Sequence, residues 1–298
     1  MRPHYLLDAS IYIFRAYFAL APGWRAANGL PTHAVQGYAG FLCDFLRRAA
    51  PRHVLAAFDE SLGSCFRNQI HPGYKCSRAL PDAALEFQLR ACRELTGLLG
   101  IASVASARFE ADDLIASAAC AARGQGGCAV VISRDKDLGQ VLRGADDRLW
   151  DFPAAAPLDR ATYRARHGIA PEQVPDLLAL CGDPVDDVPG VPGIGVKTAV
   201  ALLQRHPDVH ALLGALDAIA ASSLRGAARI ARLLEAHGEQ ILMARRLTAL
   251  AEDAFATQEL PGSARQPAQR AALAHFADFH GLGERLRARL LAVADAAT

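Results

Sequence analysis

The sequence predicts an α/β protein with a mostly parallel central sheet flanked by helices. Short apolar runs alternate with helical patterns through the first half of the chain, and several of these runs end in an acidic residue. Strands that alternate with helices are typical of parallel sheets. From residue 159 onward the pattern is almost entirely helical, which predicts a helical part behind the sheet.

Composition favours a globular protein and excludes several classes. The 298 residues are 52% hydrophobic and 21% charged, enough for a full core. No apolar run approaches the roughly 20 residues that span a bilayer, and Asp8 interrupts the first apolar run, so we expect no membrane association and a cytoplasmic location. The seven cysteines form no CxxC pair, so we expect neither disulfides nor zinc. A net charge of +1 decides nothing about nucleic acid.

The strand predictions rest on short apolar stretches bounded by charges or breakers. The clearest stretch is 128–132, and those at 5–7 and 54–58 are similar. Weaker strands are predicted at 101–104 and 149–152. Helical patterns cover 10–20, 30–49, 82–99, 159–167, 171–181, 196–205, 209–221, 226–237, 238–250, 267–281 and 283–297.

Acidic residues follow three of these strands. Asp8 and Asp59 come directly after the first two, and Asp135 and Asp137 lie just beyond 128–132. Ligands bind beyond the carboxyl ends of parallel strands, so these positions are candidates for a site. A single aspartate after a strand is more often a helix cap, and that interpretation stays open for each position alone.

A second acidic group precedes the alanine-rich helix that ends near Ala122. Glu110, Asp112 and Asp113 lie within four residues. Acids at a helix amino end are stabilised by the helix dipole by about 0.3–1 kcal/mol each, which explains one or two of them. Three exceed what capping needs.

The segment 60–82 is basic, aromatic and rich in breakers. It contains Arg67, His71, Tyr74, Lys75 and Arg78. Such a segment after a strand suits a mobile element that closes over an anionic substrate. It is also compatible with an ordinary solvated loop.

Lysine is rare in this chain. Of the 32 basic residues only Lys75, Lys136 and Lys197 are lysines. A compact ammonium and a planar guanidinium are not interchangeable at a tight phosphate or carboxylate site, so these lysines are candidates for specific tasks.

The stretch 180–200 combines carboxylates with a glycine hairpin. Asp183 and Asp186 are three residues apart, which lets their carboxylates converge. Gly193 and Gly195 surround one apolar residue, and Lys197 follows at the start of a helical pattern. Glycines there let the backbone approach a ligand, and the free N–H groups of the new helix suit a phosphate. A plain turn with capping aspartates is the alternative.

Taken together, the carboxylates predict a cation site. Like charges on one rim raise one another's pKa or require cations, and oxygen-bound divalent metals are the usual solution. Two such ions can promote hydrolysis of a phosphodiester. The candidate metal ligands are Asp8, Asp59, Glu110, Asp112, Asp113, Asp135, Asp137, Asp183 and Asp186.

Several segments resemble the structure-specific 5′-nucleases, or flap endonucleases, in the family's order. The resemblance is strongest to the 5′-3′ exonuclease domain of bacterial DNA polymerase I and its standalone relatives. The segments that carry it are LLDASIYIFRAYFA, AAFDES, FRNQIHPGYKCSR, RFEADDLIASAA, VVISRDKDLGQVL and LCGDPVDDVPGVPGIGVKTAVALL.

The resemblance implies an architecture and a function. It implies a nuclease core at 1–175 with a helical arch at about 60–82, a helix-hairpin-helix subdomain at 176–258, and carboxyl-terminal helices at 259–298 that pack on the core. It implies a 5′-3′ exonuclease or 5′-flap endonuclease that needs two or more Mg²⁺ or Mn²⁺ ions, acts as a monomer on DNA with a 5′ flap or 5′ end, and removes RNA primers or repair flaps. Potassium at the hairpin is a further expectation.

The resemblance also implies residue roles. It makes Lys75, Arg67 and Asp135 catalytic, and the acids named above metal ligands. It assigns Tyr74 and Arg78 to the 5′ strand, and duplex phosphates to Gly193, Gly195 and Lys197. Lys136 matches the lysine of the family's GDKD-like motif, next to Asp135.

Three departures from the family pattern keep alternatives open. Ala9 and Arg134 stand where the family usually has glycine, and Asp187 stands in place of asparagine. Because Arg134 puts a bulky cation beside Asp135, a catalytically weak branched-DNA-binding protein is the first alternative. A ribonuclease of the acid-rich α/β group is the second.

Overall fold

A five-stranded parallel sheet forms the centre of the chain in the computed structural model, which describes residues 1–153, 156–255 and 262–296. The strands are β1 (Arg2–Asp8), β2 (Val54–Asp59), β3 (Ala102–Ser106), β4 (Gly127–Ile132) and β5 (Arg148–Trp150). Their order is β3-β2-β1-β4-β5, and all neighbouring strands are parallel. The predicted α/β class with a parallel sheet is confirmed.

The order of the strands reverses at β1, which lies between β2 and β4. Leu6 pairs with Leu55 on one side and with Val131 on the other. The chain first winds outward through β2 and β3 and then returns to the opposite side of β1. A crevice forms beyond the carboxyl ends where such a reversal occurs, and this is where ligands bind in open α/β sheets.

The helices cover both faces of the sheet and build the second half of the chain. They are α1 (Ala9–Ala19), α2 (His33–Ala49), α3 (Phe66–Ile70), α4 (Ala83–Leu98), α5 (Ala111–Gly124), α6 (Arg160–His167), α7 (Val174–Cys181), α8 (Val196–Leu203), α9 (Val209–Leu213), α10 (Leu216–Ala220), α11 (Ala227–Ala236), α12 (Gly238–Thr248), α13 (Arg270–Phe279) and α14 (Gly283–Asp295). Short 3₁₀ turns span Lys136–Val141 and Pro171–Gln173.

Two apolar layers hold the sheet. One face packs against α1, α2, α4, α13 and α14, with Tyr38, Phe45 and Phe276 among its buried residues. The other packs against α5 and continues into the helices from α7 to α12. The helices around 270–295 therefore lie against the same layer as α2 and α4.

Local sequence explains where several helices begin. Asp8, Asp82 and Asp159 each accept a hydrogen bond from a backbone N–H three residues ahead, at 3.2, 2.8 and 2.8 Å. This is the N-cap geometry that aspartate favours. Glu110 and Asp113 form a reciprocal capping box at the start of α5.

The structure differs from the predicted elements in a few places. The predicted helix 209–221 is two short helices, α9 and α10, separated by Gly214 and Ala215. Between β4 and β5 the chain forms only a 3₁₀ turn, in which the side chain of Asp135 accepts from the Asp137 N–H. The predicted boundary at 258/259 and the end of the last helix at Ala297 lie outside the described residues, so the subdomain limits stay predictions. Within residues 1–153, 156–255 and 262–296, the helices are too short or too polar to span a membrane.

Candidate metal and nucleic-acid site

The predicted acids gather at the carboxyl edge of the sheet. Asp8 ends β1, Asp59 ends β2, and Asp135 follows β4. The loop after α7 brings further carboxylates from the helical part. A cavity of about 250 Å³ at this edge is lined by Glu110, Asp112, Asp135, Asp137, Asp183 and Asp186, together with Lys136 and Tyr74.

Two serines tie the strand ends together. The Ser133 hydroxyl donates to Asp8 Oδ2 at 2.7 Å and accepts from the Asp135 N–H at 3.0 Å. The Ser10 hydroxyl accepts from the Asp59 N–H at 2.9 Å. These bonds fix the spacing between β1 and its neighbours at the edge where the acids meet. Sequence reasoning missed both serines, although each stands within three residues of a predicted acid.

Burial and mutual repulsion raise the pKa values of the aspartates. Burial, with the nearby carboxylate of Asp59, raises the pKa of Asp8 to about 7. Burial, with the carboxylate of Asp135, raises the pKa of Asp137 to about 7. Burial is also the main cause of the raised pKa values of Asp59, Asp112 and Asp135. The protein itself therefore leaves much of this negative charge uncompensated.

The donor set fits a hard divalent cation. All of its side-chain donors are carboxylate oxygens, which are the ligands that Mg²⁺ and Mn²⁺ prefer. Among the described residues no group donates a hydrogen bond to the half-buried carboxylate of Asp112, so its oxygens are free to bind an ion. The same part of the chain contains no finished shell of three or more acidic, histidine or cysteine ligands. The acids therefore provide a place for cations rather than a closed cage.

The basic segment predicted as an arch lies directly on this site. Lys75 has a left-handed φ of 53°, and its N–H donates to the backbone carbonyl of Asp186 at 3.0 Å. Its ammonium pairs with Glu110 and lies 3.4 Å from Asp186 Oδ2. Arg78 pairs with the other oxygen of Asp186. Within this segment only α3 is an α-helix.

The basic side chains of this segment and the acids that they contact shift one another's pKa values. Burial alone would raise the pKa of Glu110, but Lys75 and Arg67 hold that pKa below its ordinary value. Burial would lower the pKa of Lys75, but Glu110 and Asp186 raise it. Glu110 and Asp186 therefore have cationic partners in the protein, whereas Asp8 and Asp112 form no ion pair with a described residue.

Arg67, Tyr74 and Asp113 are buried and form a hydrogen-bonded network with Glu110. Arg67 is 2% exposed, and its guanidinium binds both oxygens of Asp113 at 2.6 and 2.7 Å, Glu110, and two backbone carbonyls near the end of α12. Asp113 is fully buried and also accepts from the Ala251 N–H. Tyr74 is buried and donates to Glu110 Oε2 at 2.8 Å. The polar atoms of these three residues bind protein partners in this structure, and the catalytic, 5′-strand and metal-binding roles that the resemblance implies for them stay predictions.

The loop from Asp183 to Val188 is a tight turn that presents its acids. Asp183 and Val188 exchange two backbone hydrogen bonds, at 2.9 and 3.0 Å. Asp187 lies in the left-handed region with a φ of 54°, where asparagine and aspartate are the most tolerant non-glycine residues. Its carboxylate accepts from the N–H and the hydroxyl of Ser77. The exchange of asparagine for aspartate thus adds a link between this loop and the basic segment.

The glycine hairpin is built as the sequence predicted, at the start of α8. Gly193 has a φ of 87°, which favours glycine, and Gly195 is the residue before the helix. Lys197 is exposed in the first turn of α8. A side chain at Gly193 would place its Cβ 2.6 Å from Arg229 Nη2, so an arginine of α11 lies over the hairpin. Sequence reasoning missed Arg229, because nothing local connects α11 to residue 193.

Arg134 points away from the buried acids, whereas Lys136 lies at the mouth of their cavity. The Arg134 guanidinium pairs with Asp151, 3.3 Å away, and is 45% exposed. Lys136 is 64% exposed and lies 3.8 Å from Asp137. The bulky side chain of Arg134 therefore does not enter the space between Asp8 and Asp135. The replacement of glycine by Arg134 leaves that space open for a cation.

Comparison with known proteins finds matches over most of the chain. The family model described as the 5′-3′ exonuclease, N-terminal resolvase-like domain, matches residues 3–168, and the 5′-3′ exonuclease, C-terminal SAM fold, matches residues 169–271. DNA polymerase I of Mycobacterium leprae is 37% identical over 252 residues, which cover 83% of this chain and 27% of that protein. The chain thus spans about a quarter of the length of such relatives. A 5′-3′ exonuclease of Aquifex aeolicus is 32% identical over 214 residues, covering 72% of this chain and 73% of that protein.

Solved structures share the fold. A T5 5′-exonuclease structure with bound zinc ions has a TM-score of 0.66 at 19% identity, covering 98% of this chain and 100% of the other. The catalytic core of Rad2 in complex with DNA substrate has a TM-score of 0.66 at 13% identity, covering 97% and 92%. With matches to both family models and a relative of similar length, this chain belongs to the 5′-3′ exonuclease family of nucleases.

Proposed function

We propose that this chain is a divalent-metal-dependent nuclease that hydrolyses DNA phosphodiesters at 5′ ends and 5′ flaps. The observation that carries the proposal is the uncompensated group of carboxylates at the carboxyl edge of the sheet, over which Lys75 and Arg78 lie. An acidic site that holds cations and is covered by basic side chains suits a phosphodiester, which brings its own negative charge.

The metal ions would be held in two groups of acids. Asp8, Asp59, Asp112 and Asp135 raise one another's pKa and form the first group, and Asp137, Asp183 and Asp186 line the second part of the cavity. Mg²⁺ or Mn²⁺ fits these oxygen ligands. When bound, such ions supply Lewis-acid chemistry, lowering the pKa of water and neutralising charge that develops on phosphate oxygens.

The side chains of this protein would orient the substrate. Lys75 and Arg78 now pair with Glu110 and Asp186, and a phosphate entering the cavity would compete for the same cations. Cation binding to the acids and phosphate binding to Lys75 and Arg78 would therefore favour one another. Of these two cations, Arg78 is the more accessible to a 5′ strand, because 42% of its side chain is exposed.

The hairpin would hold the duplex beside the cut site. Gly193 and Gly195 leave the backbone open at the start of α8, and Lys197 adds a positive charge in its first turn. Backbone N–H groups at a helix start and a nearby lysine suit phosphate oxygens. Potassium at this hairpin, RNA primers as substrates and action as a monomer rest on the family resemblance alone.

The proposal is tested with a labelled 5′-flap DNA in the presence of Mg²⁺. We expect cleavage by the wild-type chain, with loss of about 1000-fold or more for Asp135→Ala, and no loss for the control Glu284→Ala, an exposed acid of α14. Lack of cleavage by the wild-type chain, or equal cleavage by Asp135→Ala, would disprove the catalytic assignment.

A binding assay without metal separates the hairpin from the cut site. Lys197→Ala should weaken flap binding, whereas Asp183→Ala should leave binding intact and reduce cleavage. Arg205→Ala, just beyond the other end of α8, is the matched control for the lost charge. The opposite pattern would overturn the division of roles. No structural observation favours a non-catalytic DNA-binding protein, since the Arg134 side chain pairs with Asp151.

A further inference from the structure

A second charged region lies at the opposite edge of the sheet from the acids. A cleft of about 1230 Å³ runs between the end of α2 and α14. Its floor includes residues 50–52, which directly precede β2, whereas Asp59 ends β2. Six residues of strand span about 20 Å, so the cleft is well separated from the carboxyl edge. We call it the arginine groove after its basic lining, which is Arg47, Arg52, Arg265, Arg285 and Arg289.

The arginine groove has more positive charge than the protein neutralises. Asp44 is its one acidic lining residue among those described, and it pairs with Arg47 at 3.2 Å and Arg289 at 2.8 Å. Within the described ranges no ion pair involves Arg52 or Arg285. Several guanidinium groups therefore face one cleft without a matching number of carboxylates.

Arg265 is the strongest sign of an absent anion. Its Nε donates to the Leu99 carbonyl at 3.2 Å, but its Nη2 is buried and has no hydrogen-bond partner in the described part of the chain. An unpaired buried donor destabilises a protein, and more so when the group carries a charge. Burial also lowers the pKa of Arg265. A bound anion would satisfy the free N–H group.

The lining selects for phosphate groups rather than for a planar organic ligand. Guanidinium forks match the geometry of phosphate oxygens, which they bind through paired hydrogen bonds. The uncharged lining residues are aliphatic or small, and no aromatic side chain of the described residues lines the groove to stack on a base. The cleft also exceeds the roughly 300–1000 Å³ of usual small-molecule pockets. These features favour several linked phosphates.

We propose that the arginine groove binds the phosphate backbone of a nucleic-acid strand, at a site separate from the cavity where the strand is cut. The choice of a nucleic acid over a free polyphosphate rests on the proposed function. Duplex DNA rises about 3.4 Å per base pair, so an arm of a branched substrate longer than about six base pairs covers the distance between the two edges. The groove would recognise the backbone without reading the sequence.

The test compares two arginines of α14 that lie on different sides of the helix. Arg285 lines the groove, whereas Arg287 pairs with Asp278 at 2.8 Å outside it. Binding of a labelled 5′-flap DNA with arms of about 20 base pairs is measured in EDTA over a range of salt concentrations. Each phosphate contact contributes about 0.9 to the slope of log affinity against log salt.

We expect Arg285→Ala and Arg52→Ala each to weaken binding several-fold and to make that slope shallower by about 0.9, with Arg287→Ala unchanged. Thermal unfolding of each variant checks that it is folded. Wild-type slopes in both groove variants would overturn the proposal, as would an equal loss in Arg287→Ala. Wild-type cleavage with Mg²⁺ is measured in parallel, because its absence would contradict the proposed function and not the groove.

A second measurement distinguishes a nucleic-acid backbone from a free polyphosphate as the ligand of the groove. Tripolyphosphate is titrated against the wild-type chain and Arg285→Ala by calorimetry. Binding of tripolyphosphate that is lost in Arg285→Ala, with flap DNA binding unchanged in that variant, would assign the groove to a small polyphosphate and overturn the nucleic-acid proposal. Loss of DNA binding in the groove variants supports it.

Discussion

Asp112 and Asp113 are neighbours in α5 but belong to two regions that differ in how the protein balances negative charge. Asp112 faces the open rim, which we define as Asp8, Asp59, Asp112 and Asp135, where burial and repulsion raise the pKa values. Asp113 faces the core and belongs to a buried ion-pair network with Arg67 and Glu110. One step along the helix therefore separates Asp112, which accepts no hydrogen bond from a described residue, from Asp113, whose two oxygens both bind Arg67.

The difference teaches how to separate structural from functional charge. In the buried network, two carboxylates, a guanidinium and the carbonyls of Leu247 and Ala249 satisfy one another, joining α3, α5 and the end of α12. On the rim, the carboxylates repel, and an external cation is what would balance them. Removing a charge from the network should therefore cost stability, and removing one from the rim should cost activity.

Arg67→Ala should have the largest effect, and it acts on stability. It leaves Asp113 buried without a cation, which costs about 3–5 kcal/mol. Urea unfolding measures the loss, with Arg134→Ala as a control, because Arg134 is exposed and holds only a surface pair with Asp151. A loss for Arg67→Ala as small as for Arg134→Ala would break the comparison, since it would mean that Asp113 does not depend on its partner.

Asp112→Asn should show the opposite pattern to Asp113→Asn. We expect Asp112→Asn to reduce Mg²⁺-dependent flap cleavage by about 100-fold, which corresponds to about 2.7 kcal/mol, while its stability in EDTA is unchanged or higher. Asp113→Asn should lose stability, because the Arg67 guanidinium is left buried without its full counter-charge. Both are measured by single-turnover cleavage and urea unfolding. Equal stability losses in the two variants would remove the distinction between rim and network.

Asp8→Asn sharpens the comparison through pH. The pKa of Asp8 is raised from 3.8 to about 7 in the folded protein, so between about pH 4 and pH 7 the folded state binds more protons than the unfolded state. Stability of the wild-type chain therefore falls as the pH rises through that window. Asparagine does not titrate and keeps the capping oxygen, but its amide nitrogen cannot accept from the Ser133 hydroxyl. Asp8→Asn should therefore gain on the order of 2 kcal/mol over the wild type at pH 8, less than the roughly 4 kcal/mol of the full pKa shift.

The control for this prediction is the same comparison at low pH. Below about pH 4 Asp8 is protonated in both states, so the two chains should unfold at similar urea concentrations. Measurements are made in EDTA, because a bound cation would stabilise the ionised form. A difference between the chains that does not grow with pH would show that Asp8 is ionised in the folded protein.

The sequence predicted the positions of the charges well and their partners poorly. Parallel strands place their carboxyl ends together by topology, so Asp8, Asp59 and Asp135 could be expected at one edge from the order of strands alone. A pattern of strands and helices cannot say which side of a helix turn faces the core. Asp112 and Asp113 were therefore given the same role, although one faces the rim and the other faces Arg67.

The basic segment 60–82 shows the same limit, because its sequence does not say which way its cations face. Its basic composition correctly indicated residues that lie over the acids, and Lys75 and Arg78 do so. Arg67 and Tyr74 have the same composition signal but are buried, and both donate hydrogen bonds to Glu110. The contact of Arg229 with the hairpin joins α11 to residue 193, and only the packing of the helical part could show it.

Tyr74→Phe should have the smallest effect and decides how Tyr74 acts. Its hydroxyl donates to Glu110 Oε2 at 2.8 Å, and Lys75 and Arg67 remain on Glu110 after the change. We expect a stability loss of about 1 kcal/mol, the usual net worth of one hydrogen bond, and unchanged affinity for flap DNA in EDTA. A tyrosine that contacts the 5′ strand through its hydroxyl would give the reverse, with weaker binding and equal stability. That outcome would support the contact between Tyr74 and the 5′ strand that the resemblance implies.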